Sequence, residues 1–194
     1  MLCSTEIVFK GQLEQLSILK EQLEEAMLLE AGTPLSSLLS HVGYTEKEIL
    51  AYGRDKICGV VVRWFFRDYI GVGNKEKEFV VITETMGHPC LQVFVEFLRK
   101  LDLDLKIVFF SATDGESRVS TNSDLYEGCW WLVQDYDGLL SDGDYEEEEL
   151  AKRLAQVLWK EEGMDVHHLI ELYQDQYPDT TFSFYDYVQI EEMF

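Results

Sequence analysis

At 194 residues, with 46% hydrophobic and 13% aromatic content and three prolines, the chain suits one domain, or one domain with a sizeable extension, and is too apolar for global disorder. Sixteen basic against 37 acidic residues give a formal net charge of −21, which argues against any binding of DNA, RNA or anionic membrane that depends on clustered Lys and Arg. No apolar run approaches the roughly 20 residues that span a bilayer, and no secretory signal opens the chain, so the expected location is cytoplasmic.

Residues 4–10 (STEIVFK) alternate enough for a short strand that Gly11 ends. Over residues 12–31, Leu13, Leu16, Leu19, Leu23, Met27 and Leu28 form an apolar stripe at helical spacing, and Gly32 suits the stop. Thr33-Pro34 opens a second helical stretch with Leu35, Leu38, Leu39 and Val42 on one face. Thr45-x-x-Glu48 reads as a capping box for a short third helix ending by Gly53. The β-branched and aromatic run 56–69 (KICGVVVRWFFRDY) predicts a central strand. The following IGVGNKEKE, with Gly71, Gly73 and Asn74, predicts a loop, and 78–85 (EFVVITET) the antiparallel partner. Gly87-His88-Pro89 breaks that strand before a helix striped by Leu91, Phe94, Val95, Leu98 and Leu101. A strand over 104–113, a polar loop over 114–124 and a strand over 126–134 complete the block.

Residues 135–143 are acidic and glycine-bearing, as in a connector. Residues 144–162 (DYEEEELAKRLAQVLWKEE) predict an amphipathic helix with Leu150, Leu154, Val157 and Leu158 on one face. Asp144 and Glu146 to Glu149 then crowd its first turn, where the macrodipole favours negative charge. A break at Gly163, a helix over 166–176 and an alternating strand over 181–190 follow. From residue 135 onward there are 17 acids and 3 bases, a net charge of −14 in under a third of the chain. The order of elements predicts an α+β protein: a ferredoxin-like split βαβ antiparallel sheet with helices on one face over 1–134, and an acidic C-terminal α/β extension over 135–194.

CSTEIVFKG followed by EQLSILKEQL, the run TETMGHPCLQVFVEFLRKLDLDLKIVFFSATDGES and the closing YEGCWWLVQ together resemble the YubB-like ferredoxin-like family of plasmid and phage proteins. The family's Pro-Asn-Trp start and Trp-Ser-Pro-Pro turn do not occur in this chain. The resemblance spans about two thirds of the chain and implies the fold and an origin in a mobile element. It implies no reaction, and no catalytic residue is carried over.

His88 and Cys90 beside Glu84 raise a thiol nucleophile or metal site, but a nucleophilic thiol needs a field that lowers its pKa, and an acidic surround acts the other way. Cys3, Cys58, Cys90 and Cys129 lie far apart with no CxxC pair or zinc-knuckle spacing, so they read as reduced, mostly buried thiols. His167-His168 opens a helix, where neighbours point to different sides. Asp135-Tyr-Asp137 and Asp142-Gly-Asp144 offer alternating oxygen ligands without the full calcium-loop pattern. GVGNKEKE lacks the Lys-Ser/Thr ending of a phosphate loop. Trp130-Trp131 and TFSFYDY read as strand residues packing on two faces.

The expectation is therefore a protein with no enzymatic role, cofactor or metal. It would be an acidic inhibitor of the anti-CRISPR or anti-restriction kind, whose partner is a basic protein, a nucleic-acid-binding enzyme or complex. The partner-binding residues would be Asp135, Asp137, Asp142, Asp144, Glu146, Glu147, Glu148 and Glu149, with carboxylates standing in for phosphates. The alternatives are a protein-binding or immunity-type module without mimicry, a domain for a cation or small ligand, or an enzyme built on scattered carboxylates such as Glu84, Asp114 and Glu116.

Overall fold

The computed structural model describes residues 2–29, 34–51, 59–71, 74–86, 89–136 and 138–189, with backbone alone at 59, 60, 62, 69–71 and 74–76. The protein is α+β. It divides into two compact units, Met1–Asp114 with Val188–Phe194, and Gly115–Tyr187.

In the first unit, β1 (Leu2–Lys10), β2 (Gly59–Gly71), β3 (Asn74–Met86) and β4 (Lys106–Thr113) pair antiparallel in the order β2-β3-β1-β4. Side chains alternate across a strand, so Ile7 and Phe9 of β1 share a face with their partners Val81, Phe79 and Phe109. That face is buried in one core against helices α1 (Leu13–Met27), α2 (Pro34–His41), α3 (Glu46–Ala51) and α4 (Leu91–Lys100). Leu16, Leu19 and Leu23 anchor α1, Leu35, Leu38 and Leu39 anchor α2, and Phe94 and Phe97 anchor α4. On the other face Val8, Val80 and Val108 align in one row. Beside them the buried Glu78 carboxylate is met by Lys10 and Arg67, each at 3.0 Å, which compensates its desolvation.

Local signals in this unit match the backbone. Thr45 and Glu48 form the reciprocal cap: the Thr45 N–H donates to Glu48 Oε2 at 2.7 Å and the Glu48 N–H to Thr45 Oγ1 at 3.3 Å. The loop expected over IGVGNKEKE is shorter than that. Gly71 pairs with Asn74, so Ile70 and residues 74–78 belong to a long β2–β3 hairpin, because cross-strand pairing overrides a polar composition. A bulge between Val61 and Arg63 shifts the β2 register, which lets Val61 and Trp64, three residues apart, both pack on the helix-covered core. The predicted helix stop Gly32, Gly53, strand residues 56–58, turn residues Gly73 and Gly87, and strand end Ile190 lie outside the described residues.

The second unit holds β5 (Arg118–Thr121), β6 (Trp130–Gln134), β7 (Gly143–Glu146) and β8 (Thr181–Tyr187), ordered β5-β8-β6-β7. β8 runs parallel to β5 and antiparallel to β6, and β6 antiparallel to β7. Helices α5 (Glu147–Val157) and α6 (Val166–Gln176) cover one face. Leu150, Leu154, Val166, Leu169, Ile170 and Tyr173 from the helices share a core with Trp131, Val133, Tyr145 and Phe182.

Three expectations change here. The polar loop over 114–124 contains β5, whose Val119 is buried. The helix expected from residue 144 begins at Glu147, because Tyr145 turns inward opposite Trp131 and draws Gly143–Glu146 into β7. The boundary expected after Gln134 falls between Asp114 and Gly115, since β6 is paired on both sides within the second unit.

Candidate functional site

The second unit carries an open cleft of about 830 Å³. Its floor is one rung of the sheet: Arg118 registers against Phe184, and Phe184 against Trp131, so the three side chains emerge on the helix-covered face. Trp131 is buried, and Phe184 and the His167 ring meet it edge-on, with centroids 5.4 and 5.2 Å away. Glu147 opens α5 and borders the cleft. The Trp131 indole N–H donates to its Oε2 at 3.4 Å, and its own N–H donates to the Cys129 carbonyl at 3.0 Å. The turn over 115–117 closes one side, tied down where the Phe184 N–H donates to the Ser117 carbonyl at 3.0 Å. Glu116 and the free, exposed Cys129 also face this space. Arg118 is paired, its Nη1 lying 3.3 Å from Asp186 Oδ2.

The eight carboxylates expected to face a partner do not form one wall. Asp135 is 9% exposed and works inside the unit. Its Oδ2 accepts from the Tyr173 hydroxyl at 2.6 Å and the Leu140 N–H at 2.9 Å, and its Oδ1 from the Thr180 hydroxyl at 2.6 Å. Burial alone would raise this carboxyl, but those bonds outweigh it and hold the pKa below the ordinary aspartate value. Asp142 Oδ1 accepts the Asp135 N–H at 2.6 Å, fastening the same loop. Asp144 accepts from the Tyr126 and Tyr185 hydroxyls, both at 2.7 Å, beneath a stacked Tyr126–Tyr185 pair with centroids 4.0 Å apart. Burial first, then the Asp144 carboxylate, pushes Tyr126 up to about 12 and raises Tyr185 further. Asp137 lies outside the described residues.

Asp142 and Asp144 are exposed despite these bonds, as are Glu146, Glu148 and Glu149, the last sharing its charge with Arg153 at 2.8 Å; Glu147 turns to the cleft instead. Glu146 sits on β7 and only Glu147, Glu148 and Glu149 occupy the first turn of α5.

Cys3 and Cys90 are buried as expected, whereas Cys129 is exposed; Cys58 and His88 lie outside the described residues. Among the described residues no group of three or more His, Cys, Asp or Glu side chains is placed to hold a metal ion. His168 points away to Glu171 at 3.8 Å while His167 faces the cleft, which fits neighbours on different sides of a helix. Glu84 and Asp114 are exposed in the first unit and Glu116 lines the cleft in the second. No spacing rule pointed to Arg118, Trp131, Glu147, His167 and Phe184 as a set, because five separate elements supply them; the one local clue was a histidine pair opening a helix. Among the described residues no helix is long and apolar enough to cross a membrane.

Compared with protein-family models, with curated proteins and with solved structures, the chain finds no match in any of the three.

Proposed function

We propose that this protein is a non-enzymatic acidic inhibitor, carried by a phage or plasmid, that occupies the basic nucleic-acid-binding surface of another protein in place of the polynucleotide. The observation that supports it is charge without compensation. Residues 115–187 hold 18 acids against 4 bases, a net −14. Two of those bases, Arg118 and Arg153, are already paired within the unit. A unit with that net charge draws a Lys/Arg groove by the field that draws it to phosphates, and displaces the same condensed counterions. The strand order β2-β3-β1-β4 also supports a ferredoxin-like split βαβ reading of the first unit.

The test is salt. The intact protein should capture a basic partner from lysate at about 100 mM salt and release it well below about 1 M. Reversing Glu146, Glu148 and Glu149 to Lys should abolish capture while leaving the circular dichroism spectrum in place and lowering the melting point only modestly, since the helix's first turn loses favourable charge and Glu149 its Arg153 partner. Capture untouched by that reversal would sink the reading.

One observation favours a second reading, a protein-binding module without mimicry. Trp159 follows α5, is 93% exposed and sits at a left-handed φ of +54°. Tryptophan is among the residues enriched at interface hot spots. In that case capture survives high salt and Trp159→Ala removes it.

A further inference from the structure

The cleft of the second unit has no part in a purely long-range attraction, yet its chemistry has a sign. We propose that it receives a single guanidinium side chain projecting from the basic partner, an inference that rests on the cationic-partner reading above.

Three features carry it. Glu116 and Glu147 bring two carboxylates to the cleft, while the one arginine, Arg118, is met by Asp186. The unit around them bears −14, so its field concentrates cations and repels anions. Next, Glu147 is aimed. The indole N–H of Trp131 fixes one of its oxygens at 3.4 Å, and a carboxylate offers about four acceptor sites, so the forked donors of a guanidinium still find a partner there. Finally, the half-buried Phe184 ring packed on Trp131 gives the cleft an aromatic wall, and cations gather over such ring faces within about 6 Å. A guanidinium suits this better than an ammonium because it is planar, can stack, and can bond a carboxylate in two places. The volume of about 830 Å³ accommodates a whole side chain with room for water.

The experiment uses the full chain labelled with ¹⁵N at tryptophan, reading the Trp131 indole signal assigned through Trp131→Phe. N-acetyl-arginine amide, its uncharged isostere N-acetyl-citrulline amide, and inorganic phosphate are titrated in turn. The arginine amide should shift the signal saturably, with citrulline and the Glu147→Gln variant each at least about 10-fold weaker, the scale of one lost charge-assisted hydrogen bond. Glu116→Gln should weaken binding too, and guards against a local distortion confined to the Glu147 variant. Equal binding of citrulline, an unaltered Kd in Glu147→Gln, no saturable shift with arginine, or a saturable shift with phosphate instead would overturn the proposal. Lysate capture at low salt is run in parallel. If capture depends on Glu146, Glu148 and Glu149 but arginine amide does not bind, the cleft assignment alone falls. If arginine amide binds but capture fails, the inhibitor reading falls and the cation site stands.

Discussion

Removing the Asp135 carboxylate tests whether this acid belongs to the fold and not to a partner surface. Asp135→Ala deletes three hydrogen bonds to a charged acceptor, from Thr180 and Tyr173 at 2.6 Å and from Leu140 at 2.9 Å. Each is worth about 1.5–3 kcal/mol, and members of one network are not independent, so about 3–5 kcal/mol is expected. That is a large share of the roughly 5–15 kcal/mol that holds a domain together. Asp135→Asn keeps one acceptor oxygen and turns an NH₂ toward a donor, so it should cost roughly half as much. Urea unfolding at neutral pH by near-ultraviolet circular dichroism measures the loss, and hydrogen exchange at the Leu139 and Leu140 amides localises it. The carboxyl titrates lower in the folded protein than in the unfolded chain. Its contribution is therefore fully present above the ordinary aspartate pKa of about 3.9 and disappears as pH falls through the lower folded value. The gap between wild type and Asp135→Asn should hold steady down to about pH 5 and close below about pH 4. An Asp135→Ala protein within about 0.5 kcal/mol of wild type would refute the reasoning, as would a gap that persists in strong acid.

Gly138→Ala should fail for a related reason. A Cβ there would run into both Asp135 carboxylate oxygens and the Tyr173 hydroxyl, and those atoms are held by their own bonds, so a loss of about 1–3 kcal/mol in the same urea assay is expected. Alkali should unfold the second unit early. Tyr126 and Tyr173 are pushed up to about 12 and Tyr185 beyond, by burial and then by the Asp144 or Asp135 carboxylate. Because folding favours their protonated forms, that stability is present below the free tyrosine value of about 10 and is lost as pH rises through about 12. Tyrosinate absorbance should thus rise together with loss of amide protection in 115–187, and tyrosines ionising near pH 10 with protection intact would count against it.

Much of the first unit was legible. The stripes that became α1, α2 and α4 bury most of the leucines and phenylalanines expected of them, although Leu13 and Leu28, at the two ends of α1, are exposed, and the Thr45–Glu48 cap forms as its spacing requires. What local pattern could not show was pairing between distant segments. Arg118–Thr121 reads as polar loop because one buried apolar residue, Val119, cannot announce a strand; its partner is β8, more than 60 residues further along. Gly143–Glu146 hides in an acidic run for the same reason, with Tyr145 its single inward side chain. The bulge at Val61–Arg63 is a further case, since strict alternation sends Val61 and Trp64 to opposite faces. The cleft draws on five elements, so no window of sequence contained it.

Counting carboxylates failed in an instructive way, because a count registers charge and not what the charge is bonded to. Asp135, Asp142 and Asp144 lie within 14 residues of Glu148 and Glu149 and look alike in sequence. Yet the donors that claim them come from Tyr126, Tyr173, Thr180 and Tyr185, and from amides of their own loop. Those donors hold the three aspartates in the unit's own fold. Glu146, Glu148 and Glu149 stand where β7 passes into α5, and the one cation among the described residues that pairs with any of them is Arg153. Asp142 and Asp144 are exposed as well, so what separates them from Glu146 and Glu148 is that their carboxylates also hold the fold, whereas the glutamates give up mobile counterions on binding. The physical division within the acidic stretch therefore falls at the end of β7, and residues on its two sides answer to different experiments: denaturation for the aspartates, salt-dependent capture for the glutamates.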